Sequence, residues 1–249
     1  MTGQAPPYDK TLSTFAPLAA LPTEESDRHY REVHAPFARR FLREMDQVVS
    51  YHTARATAEL DLGGGWRQRP RAYRYIAMRF LPGRSLDLPE ELHERIVQDH
   101  RSCLRDLRSF RVREQVLLDR LSGQTGLSKH VVELERRPAT TPDEGDRHLD
   151  QQIEVLAEQA EGAFGLRQVL VDRVLGEAET EPVDEPGQRP LRRLLPSTAA
   201  QAFVEVYADH ADWAEQWLAR PAVRAVVQDP WWGVARCYRV SEECGLDKR

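Results

Sequence analysis

Apolar and polar positions recur with two different periods along the first half of the chain, and these periods predict its secondary structure. Alternation with a period of two residues is typical of strands and covers 10–16, 47–57, 71–81 and 110–121. Apolar residues spaced three or four positions apart are typical of amphipathic helices and cover 23–45 and 89–110. Residues 63–70 (GGGWRQRP) predict a connecting loop. The first half therefore has the order β-α-β-β-α-β.

The second half of the chain repeats this order. Its predicted strands are 130–136, 166–176, 200–208 and 233–242. Its predicted helices are 143–163 and 210–228. The connection 179–197 contains four prolines and predicts a long surface loop, with a disordered insertion as the alternative.

The order β-α-β-β-α-β is that of a ferredoxin-like unit, so the predicted fold class is α+β with two such units in tandem. We expect a flexible N-terminus over 1–9, one unit over 10–122 and a second over 128–245. A ferredoxin-like unit covers one face of its sheet with helices and leaves the other face bare. Two bare faces can close on each other, which predicts an α+β barrel with an interior cavity.

Composition narrows the function classes. The net charge of −5 at pH 7 argues against a nucleic-acid partner, which usually calls for a basic face. The mean hydropathy is −0.61, and no apolar run reaches the ~20 residues of a membrane span. The three cysteines form no CxxC pair, and the first residues carry no signal-peptide pattern. We therefore expect a cytoplasmic protein that binds neither nucleic acid nor a membrane.

The first predicted helix carries a short motif. It reads Y-x-x-x-H-A-P-F-A over 30–38, and Pro36 inside it is expected to bend the helix. With the strand that follows, which bears Tyr51 and His52, the segment 29–56 resembles the EthD-like branch of the dimeric α+β barrel superfamily. The second half shares only the order of elements, since 146–149 (DRHL) replaces the motif. The resemblance implies a fused barrel whose site belongs to the first half.

Two histidines and a tyrosine are the predicted catalytic residues. Tyr30 and His34 are four residues apart, so they share the helix face that turns toward the sheet. His52 lies on the next strand, and its side chain points away from that of Tyr51. A histidine titrates near neutral pH and a tyrosine can hold an enolate oxygen. The alternative is structural: His34 would pin the helix to the sheet and Tyr30 would belong to the core.

A second set of residues predicts substrate binding. Tyr73 and Tyr75 alternate with Arg74, so the two rings share one face and could form an aromatic wall. An arginine could hold a carboxylate or an enolate. The full predicted binding set is Tyr51, Tyr73, Tyr75, Arg74 and His130. Ordinary cross-strand packing of the tyrosines is the competing explanation.

The superfamily includes cofactor-free monooxygenases, aromatic polyketide cyclases, isomerases and fused heme enzymes, so the resemblance does not choose the reaction. Our leading hypothesis is a cofactor-independent enzyme that cyclises, dehydrates or isomerises a hydrophobic, polyketide-like molecule. The alternatives are cofactor-free monooxygenation, a heme enzyme with His210 or His130 as axial ligand, and a non-enzymatic ligand-binding barrel. The expected partner is a hydrophobic small molecule, and formation of a homodimer stays open.

Overall fold

The computed structural model describes residues 8–17, 22–61, 65–67, 74–84, 86, 88–124, 126–180, 192–195 and 199–248. Its ten strands are β1 (Asp9–Pro17), β2 (Val48–Asp61), β3 (Gly65–Arg67), β4 (Arg74–Phe80), β5 (Leu104–Asp119), β6 (Ser128–Arg136), β7 (Leu166–Thr180), β8 (Arg192–Leu195), β9 (Ala200–Ala208) and β10 (Trp232–Asp247). Its α-helices are α1 (Thr23–His29), α2 (Ala35–Glu44), α3 (Glu90–Cys103), α4 (Pro142–Glu161), α5 (Ala211–Leu218) and α6 (Pro221–Val227).

Eight of these strands form one closed antiparallel barrel. Around the barrel the order is β1-β4-β2-β10-β6-β9-β7-β5, and β5 pairs with β1 to complete the ring. The short strands β3 and β8 extend β2 and β7 outside this ring. Each half of the chain places its four barrel strands in the same relative order, β5-β1-β4-β2 and β10-β6-β9-β7. The β5–β7 and β2–β10 ladders join the halves.

Alternation along the strands divides side chains between the barrel interior and an outer layer of helices. Helices α4, α5 and α6 cover the second half, where Leu149, Leu156 and Trp217 pack on the strands. A separate outer cluster holds Tyr30, Leu42 and Tyr51 in the first half. The apolar interior cluster draws on both halves, with Leu12, Tyr75, Phe110, Phe203 and Tyr238 among its members. The two halves therefore share one interior core.

Pro36 does not break the first helical segment. The stretch Tyr30–His34 forms a π-helical turn between α1 and α2, in which the Ala35 N–H donates to the Tyr30 carbonyl five residues back. Pro36 then lies in the first turn of α2, directly after this π-helical turn; since proline has no N–H, it donates no hydrogen bond to that turn. The helix absorbs the proline by widening one turn.

Four predicted elements differ from the structure. The helix predicted over 89–110 ends at Cys103, because residues from Leu104 onward pair with β1 and β7 instead. The helix predicted over 210–228 is two helices, since Pro221 starts a new one. The predicted loop 63–70 contains the short strand β3. Within the predicted loop 179–197, Arg192–Leu195 forms β8, and residues 181–191 lie outside the described chain.

No helix among the described residues is both long enough and apolar enough to cross a membrane.

Candidate functional site

A cavity of ≈ 850 Å³ occupies one end of the barrel. That volume suits a small organic molecule, for which pockets of about 300–1,000 Å³ are usual. The segment between β5 and β6 forms part of its wall through Gln124, Gly126 and Leu127. Val116 and Leu121, which also line the cavity, are exposed, so the cavity opens to solvent on that side.

His52 lines this cavity from β2. Its neighbour on β10 is Gly245, where an added Cβ would come within 3.3 Å of the imidazole Nδ1. Glycine at that position therefore leaves room for the ring. Burial lowers the pKa of His52, and the positive charges of Lys129 and Arg79 lower it further, although Glu242 opposes them. The imidazole is accordingly neutral at pH 7 and can accept a proton.

Lys129 and Arg79 are two of the cations of the cavity wall, which also includes Arg239. The Lys129 ammonium, on β6, lies 2.5 Å from Glu205 and 3.2 Å from Glu242. Its Nζ is also 4.8 Å from the centre of the Tyr207 ring. Arg79, on β4, donates to Glu114 at 2.6 Å. Both cations are thus fixed in place by carboxylates, facing the same space as His52.

Behind the cavity a buried ion network crosses the barrel. The Lys10 ammonium, on β1, lies 2.7 Å from Glu114, 2.7 Å from Asp172 and 2.6 Å from Glu205. These carboxylates come from β5, β7 and β9, so Lys10 connects four strands. They also raise the pKa of Lys10 above its ordinary value, because their attraction together outweighs the effect of burial.

The network contains one more acidic group than basic groups. Its bases are Lys10, Arg79 and Lys129, and its acids are Glu114, Asp172, Glu205 and Glu242. Burial raises the pKa of Asp172 to about 8, and the negative charge of Glu205 adds to the effect. The pKa of Glu205 itself is held well below its ordinary value by Lys10 and Lys129 despite burial. A raised pKa favours the protonated form of Asp172 at pH 7, which offsets the excess of acidic groups.

A second, much smaller cavity lies deeper in the barrel. Its volume is ≈ 10 Å³, and it shares His52, Ala77 and Lys129 with the larger cavity. Tyr75 lines it as well, and the Tyr75 hydroxyl is buried without a hydrogen-bond partner. Burial raises the pKa of Tyr75 well above its ordinary value, so the phenol stays protonated. His52 thus lines both the larger cavity and the smaller chamber.

Of the sequence-predicted residues, only His52 and Tyr75 line these two cavities. Tyr30, His34, Tyr51 and Arg74 lie on the outer side of the sheet, against the helices. The Tyr30 and Tyr51 hydroxyls are 3.4 Å apart, and the Arg74 guanidinium stacks over the Tyr30 ring and pairs with Asp27. His34 and His52, both predicted as catalytic residues, therefore lie on opposite sides of the sheet and do not share a site. Tyr73 lies outside the described residues.

His34 belongs to a polar cluster between the first helical segment and α3. Its Nδ1 lies 2.6 Å from Asp99, whose other oxygen is 2.7 Å from His29 Nε2. Burial alone would raise the pKa of Asp99, but hydrogen bonds from His34 and His29 outweigh it and hold the pKa at about 2. His34 therefore connects a helix to a neighbouring helix, and not to the cavity.

Neither of the two predicted heme ligands, His130 and His210, lines the cavities. His130 is fully buried on the outer side of β6, with its Nε2 3.5 Å from Glu215 of α5. It was expected to face the cavity, but the inward positions of β6 are Lys129 and Val131, which line the small chamber. His210 precedes α5 and packs edge-on against Trp213. Neither histidine lines either cavity, and the described residues contain no group of three or more metal-ligating side chains.

Sequence reasoning missed the cations and acids of the interior. A signal for them was present, because Lys10 and Lys129 are two of only three lysines in the chain and both lie within apolar strand segments. A lysine at an inward strand position needs buried carboxylates, and Glu114 and Glu205 also occupy strand segments.

The fold and site define the class: a closed eight-stranded antiparallel barrel surrounded by helices, with a cavity at one end. Solved structures with a similar fold include an anthrone oxidase-like protein, with a TM-score of 0.62 at 14% identity over 96% of this chain and 93% of that one. A proposed monooxygenase from Fusobacterium nucleatum subsp. nucleatum gives a TM-score of 0.58 at 8% identity, covering 97% and 94%. A proposed monooxygenase from Lactobacillus acidophilus gives 0.51 at 7%, covering 98% and 97%. Identities this low establish the fold alone.

No protein-family model and no curated protein matches the sequence.

Proposed function

We propose that this protein is an enzyme that removes a proton from an acidic aromatic molecule and lets the resulting anion react with dioxygen, without a cofactor. The observation that carries the proposal is His52: a neutral imidazole that lines the ≈ 850 Å³ cavity beside Lys129 and Arg79. A neutral base next to fixed cations suits the formation of a phenolate or an enolate.

In this mechanism His52 accepts the proton from the substrate carbon or hydroxyl. The negative charge that develops on the substrate oxygen is stabilised by the Lys129 ammonium, which is already oriented by Glu205 and Glu242. Since Lys129 is held before the substrate arrives, little reorganisation is needed during proton transfer. The apolar side chains of Val116, Leu121 and Leu127 suit the hydrophobic body of the substrate.

The anion then gives electrons to dioxygen and forms a carbon–oxygen bond. The peroxide anion takes the proton from the His52 imidazolium, and loss of water leaves a carbonyl. For a methylene group the balance is CH₂ + O₂ → C=O + H₂O, so dioxygen is the oxidant. We favour oxygenation over cyclisation because similar barrels include an anthrone oxidase-like protein and proposed monooxygenases.

The fused arrangement belongs to the same proposal. We interpret the two halves, 10–122 and 128–245, as tandem ferredoxin-like units, supported by their identical strand order. The EthD-like resemblance of 29–56 supports a common origin with the dimeric barrels, although its Tyr30 and His34 serve the helix layer here. A single chain then encloses a complete cavity, whereas an unfused barrel needs two chains.

The experiment uses anthrone, a carbon acid that the name of one relative suggests as a probe. Deuterium wash-in at its methylene carbon is followed without oxygen, and oxygen consumption is followed in air. Wild type should accelerate both, and His52→Gln should lose about 10²–10⁴-fold of each rate. The matched control is His34→Gln, which removes a histidine outside the cavity and should leave both rates within about twofold. A His52→Gln enzyme that retains wild-type wash-in and oxygen consumption contradicts the assignment of the base.

A further inference from the structure

The charges in the wall of the large cavity balance one another. Among the described residues of this wall, the cations are Arg79, Lys129 and Arg239, and the carboxylates are Glu114, Asp119 and Glu242. His52 lines the same space and is uncharged at pH 7, because burial lowers its pKa. The wall therefore presents no net charge to a molecule that enters the cavity.

Every cation of this wall already has a carboxylate partner from the protein. The pairs are Lys129 with Glu205 and Glu242, Arg79 with Glu114, and Arg239 with Glu215. A carboxylate on a ligand would have to displace one of these partners to reach a cation. Bringing an anion out of water without a free cation is costly, because the lost hydration is not replaced.

The open side of the cavity adds a negative charge that is not paired. Asp119 lines the cavity beside the exposed Leu121, and it accepts a hydrogen bond from the Leu121 backbone N–H at 3.1 Å. Within the described part of the chain, Asp119 forms no ion pair. An anion that enters from solvent on this side therefore meets a like charge, which opposes its approach.

The wall also offers hydrogen bonds that need no charge on the ligand. Val169 and Val171 of β7 belong to the outer core, so alternation turns Gln168 inward, where it lines the cavity. The side-chain amide of Gln168 makes no hydrogen bond to another described residue. An amide can both donate and accept, so it can bind a ketone or a hydroxyl group of an uncharged ligand.

We propose that the substrate is an aromatic molecule with neutral oxygen substituents and no carboxylate, and that Glu242 sets this specificity by occupying Lys129. The inference rests on the proposed function, since it assigns the substrate class of the same cavity. Such a molecule carries no charge until His52 removes its proton, so Lys129 meets a negative charge only at the reacting oxygen. That difference between the bound substrate and the transition state is what accelerates a reaction.

Charged substrates of either sign lose this advantage. A substrate carboxylate would have to leave water first, and it would occupy Lys129 before the proton is transferred. An enolate that forms inside the cavity pays no such cost of transfer from water. A substrate cation would instead face Lys129 and Arg79 beside His52, and both would repel it.

Three anthracene derivatives of nearly equal size measure the preference directly, and the ≈ 850 Å³ cavity suits molecules of this size. They are 9-anthracenemethanol, which is neutral, anthracene-9-carboxylate, and 9-(aminomethyl)anthracene, which is a cation at pH 7. Fluorescence titration of the intact protein gives each Kd. We expect the alcohol to bind at least about tenfold more tightly than either ion. A carboxylate or an ammonium that binds as tightly as the alcohol, or an alcohol that does not bind saturably, overturns the inference.

Glu242→Gln tests the residue that sets the specificity. This variant leaves Lys129 with Glu205 as its remaining partner, so the ratio of the carboxylate Kd to the alcohol Kd should fall at least about threefold. The matched control is Glu158→Gln on the exposed face of α4, which makes the same change in net charge away from the cavity. Circular dichroism shows whether both variants are folded. An unchanged ratio in Glu242→Gln, or an equal fall in the control, contradicts the role of Glu242.

The two proposals fail in different ways, because binding of these probes requires no turnover. Absence of deuterium wash-in from anthrone, with the preference for the neutral probe preserved, would refute the base chemistry alone. Normal wash-in with equal affinities for the three probes would refute the substrate class alone.

Discussion

Replacing Lys10 by methionine is the most severe test of the interior network. The substitution keeps a long side chain but removes a charge whose nitrogen lies 2.6–2.7 Å from three carboxylates. Lys10 and all three carboxylates are almost completely buried. Removing one partner of a buried ion pair costs about 3–5 kcal/mol, because the other charge is left without compensation. For a chain of this size, that corresponds to a fall in Tm of about 6–20 °C.

The size of the loss should depend on pH in a predictable direction. In wild type the pKa values of Glu114 and Glu205 are lowered in the folded state, so the stability they contribute is present above their unfolded values and is lost as pH falls. Without Lys10 these carboxyls bind protons more readily when folded. The difference in the free energy of unfolding between wild type and the variant therefore becomes smaller as pH falls from about 8 to about 5.

Urea unfolding at the two pH values measures both effects, with Lys248→Met as the matched control. Lys248 is exposed and its ammonium donates to the Leu42 and Met45 carbonyls, so its loss should cost less than about 1 kcal/mol. The reasoning is refuted if Lys10→Met costs less than about 1 kcal/mol near pH 8, or if its cost is the same near pH 5.

Three further substitutions test other parts of the structure. Asp172→Asn should raise the free energy of unfolding above that of wild type near pH 9 and match it near pH 4, as measured by urea titrations. The folded pKa of Asp172, about 8, is above the unfolded one, so wild type loses stability as pH rises through this range and the variant does not. Gly165→Ala should lower the free energy of unfolding by about 1–3 kcal/mol in the same assay. The φ of Gly165 is +74°, and the new Cβ would lie 1.8 Å from the Trp213 ring. An unchanged urea midpoint contradicts this expectation. Gly245→Val should slow deuterium wash-in at least tenfold by displacing the His52 ring, and a wild-type rate would show that the ring position does not matter.

The order of elements was predictable because it depends on local periodicity. Alternation and helical spacing predicted the eight barrel strands and most helices, and the bare-face argument predicted closure into a barrel. The boundary near Cys103 was not predictable, because pairing of Leu104 and the following residues with β1 and β7 overrides the helical pattern. Such pairing depends on residues far away in the chain.

The site was only half predictable, for a different reason. Alternation correctly separates His52 from Tyr51 and Tyr75 from Arg74, but it does not tell which member of each pair faces the interior. Both faces of a barrel strand are buried, one by helices and one by the opposite wall. Arg74 faces outward because Asp27 and the Tyr30 ring receive its guanidinium. These two partners could not be inferred from the sequence of the strand that carries Arg74.

The distribution of charged side chains inside the barrel differs between its two ends. At the far end Arg108 pairs with Glu135 and Glu177, and Arg236 with Glu133, so charged side chains fill that opening. An aromatic layer that includes Phe110 and Phe203, with ring centres 5.3 Å apart, lies between it and the Lys10 network. The cavity near 122–128 lies at the opposite end of the barrel, which is open to solvent.

The two halves contribute unequal but complementary groups to that open end. The first half supplies the proposed base, His52, together with Arg79 and Tyr75, while the second supplies Lys129, Tyr207 and Glu242. The resemblance of 29–56 implied a site within the first half, yet His52 without the second half would lack the Lys129 cation that lines the same cavity. Either half alone would also lack the buried ion pairs of Lys10 with Asp172 and Glu205, which join the first half to the second. The same ion pairs that hold the halves together therefore also complete the site, which couples closure of the barrel to the chemistry proposed for it.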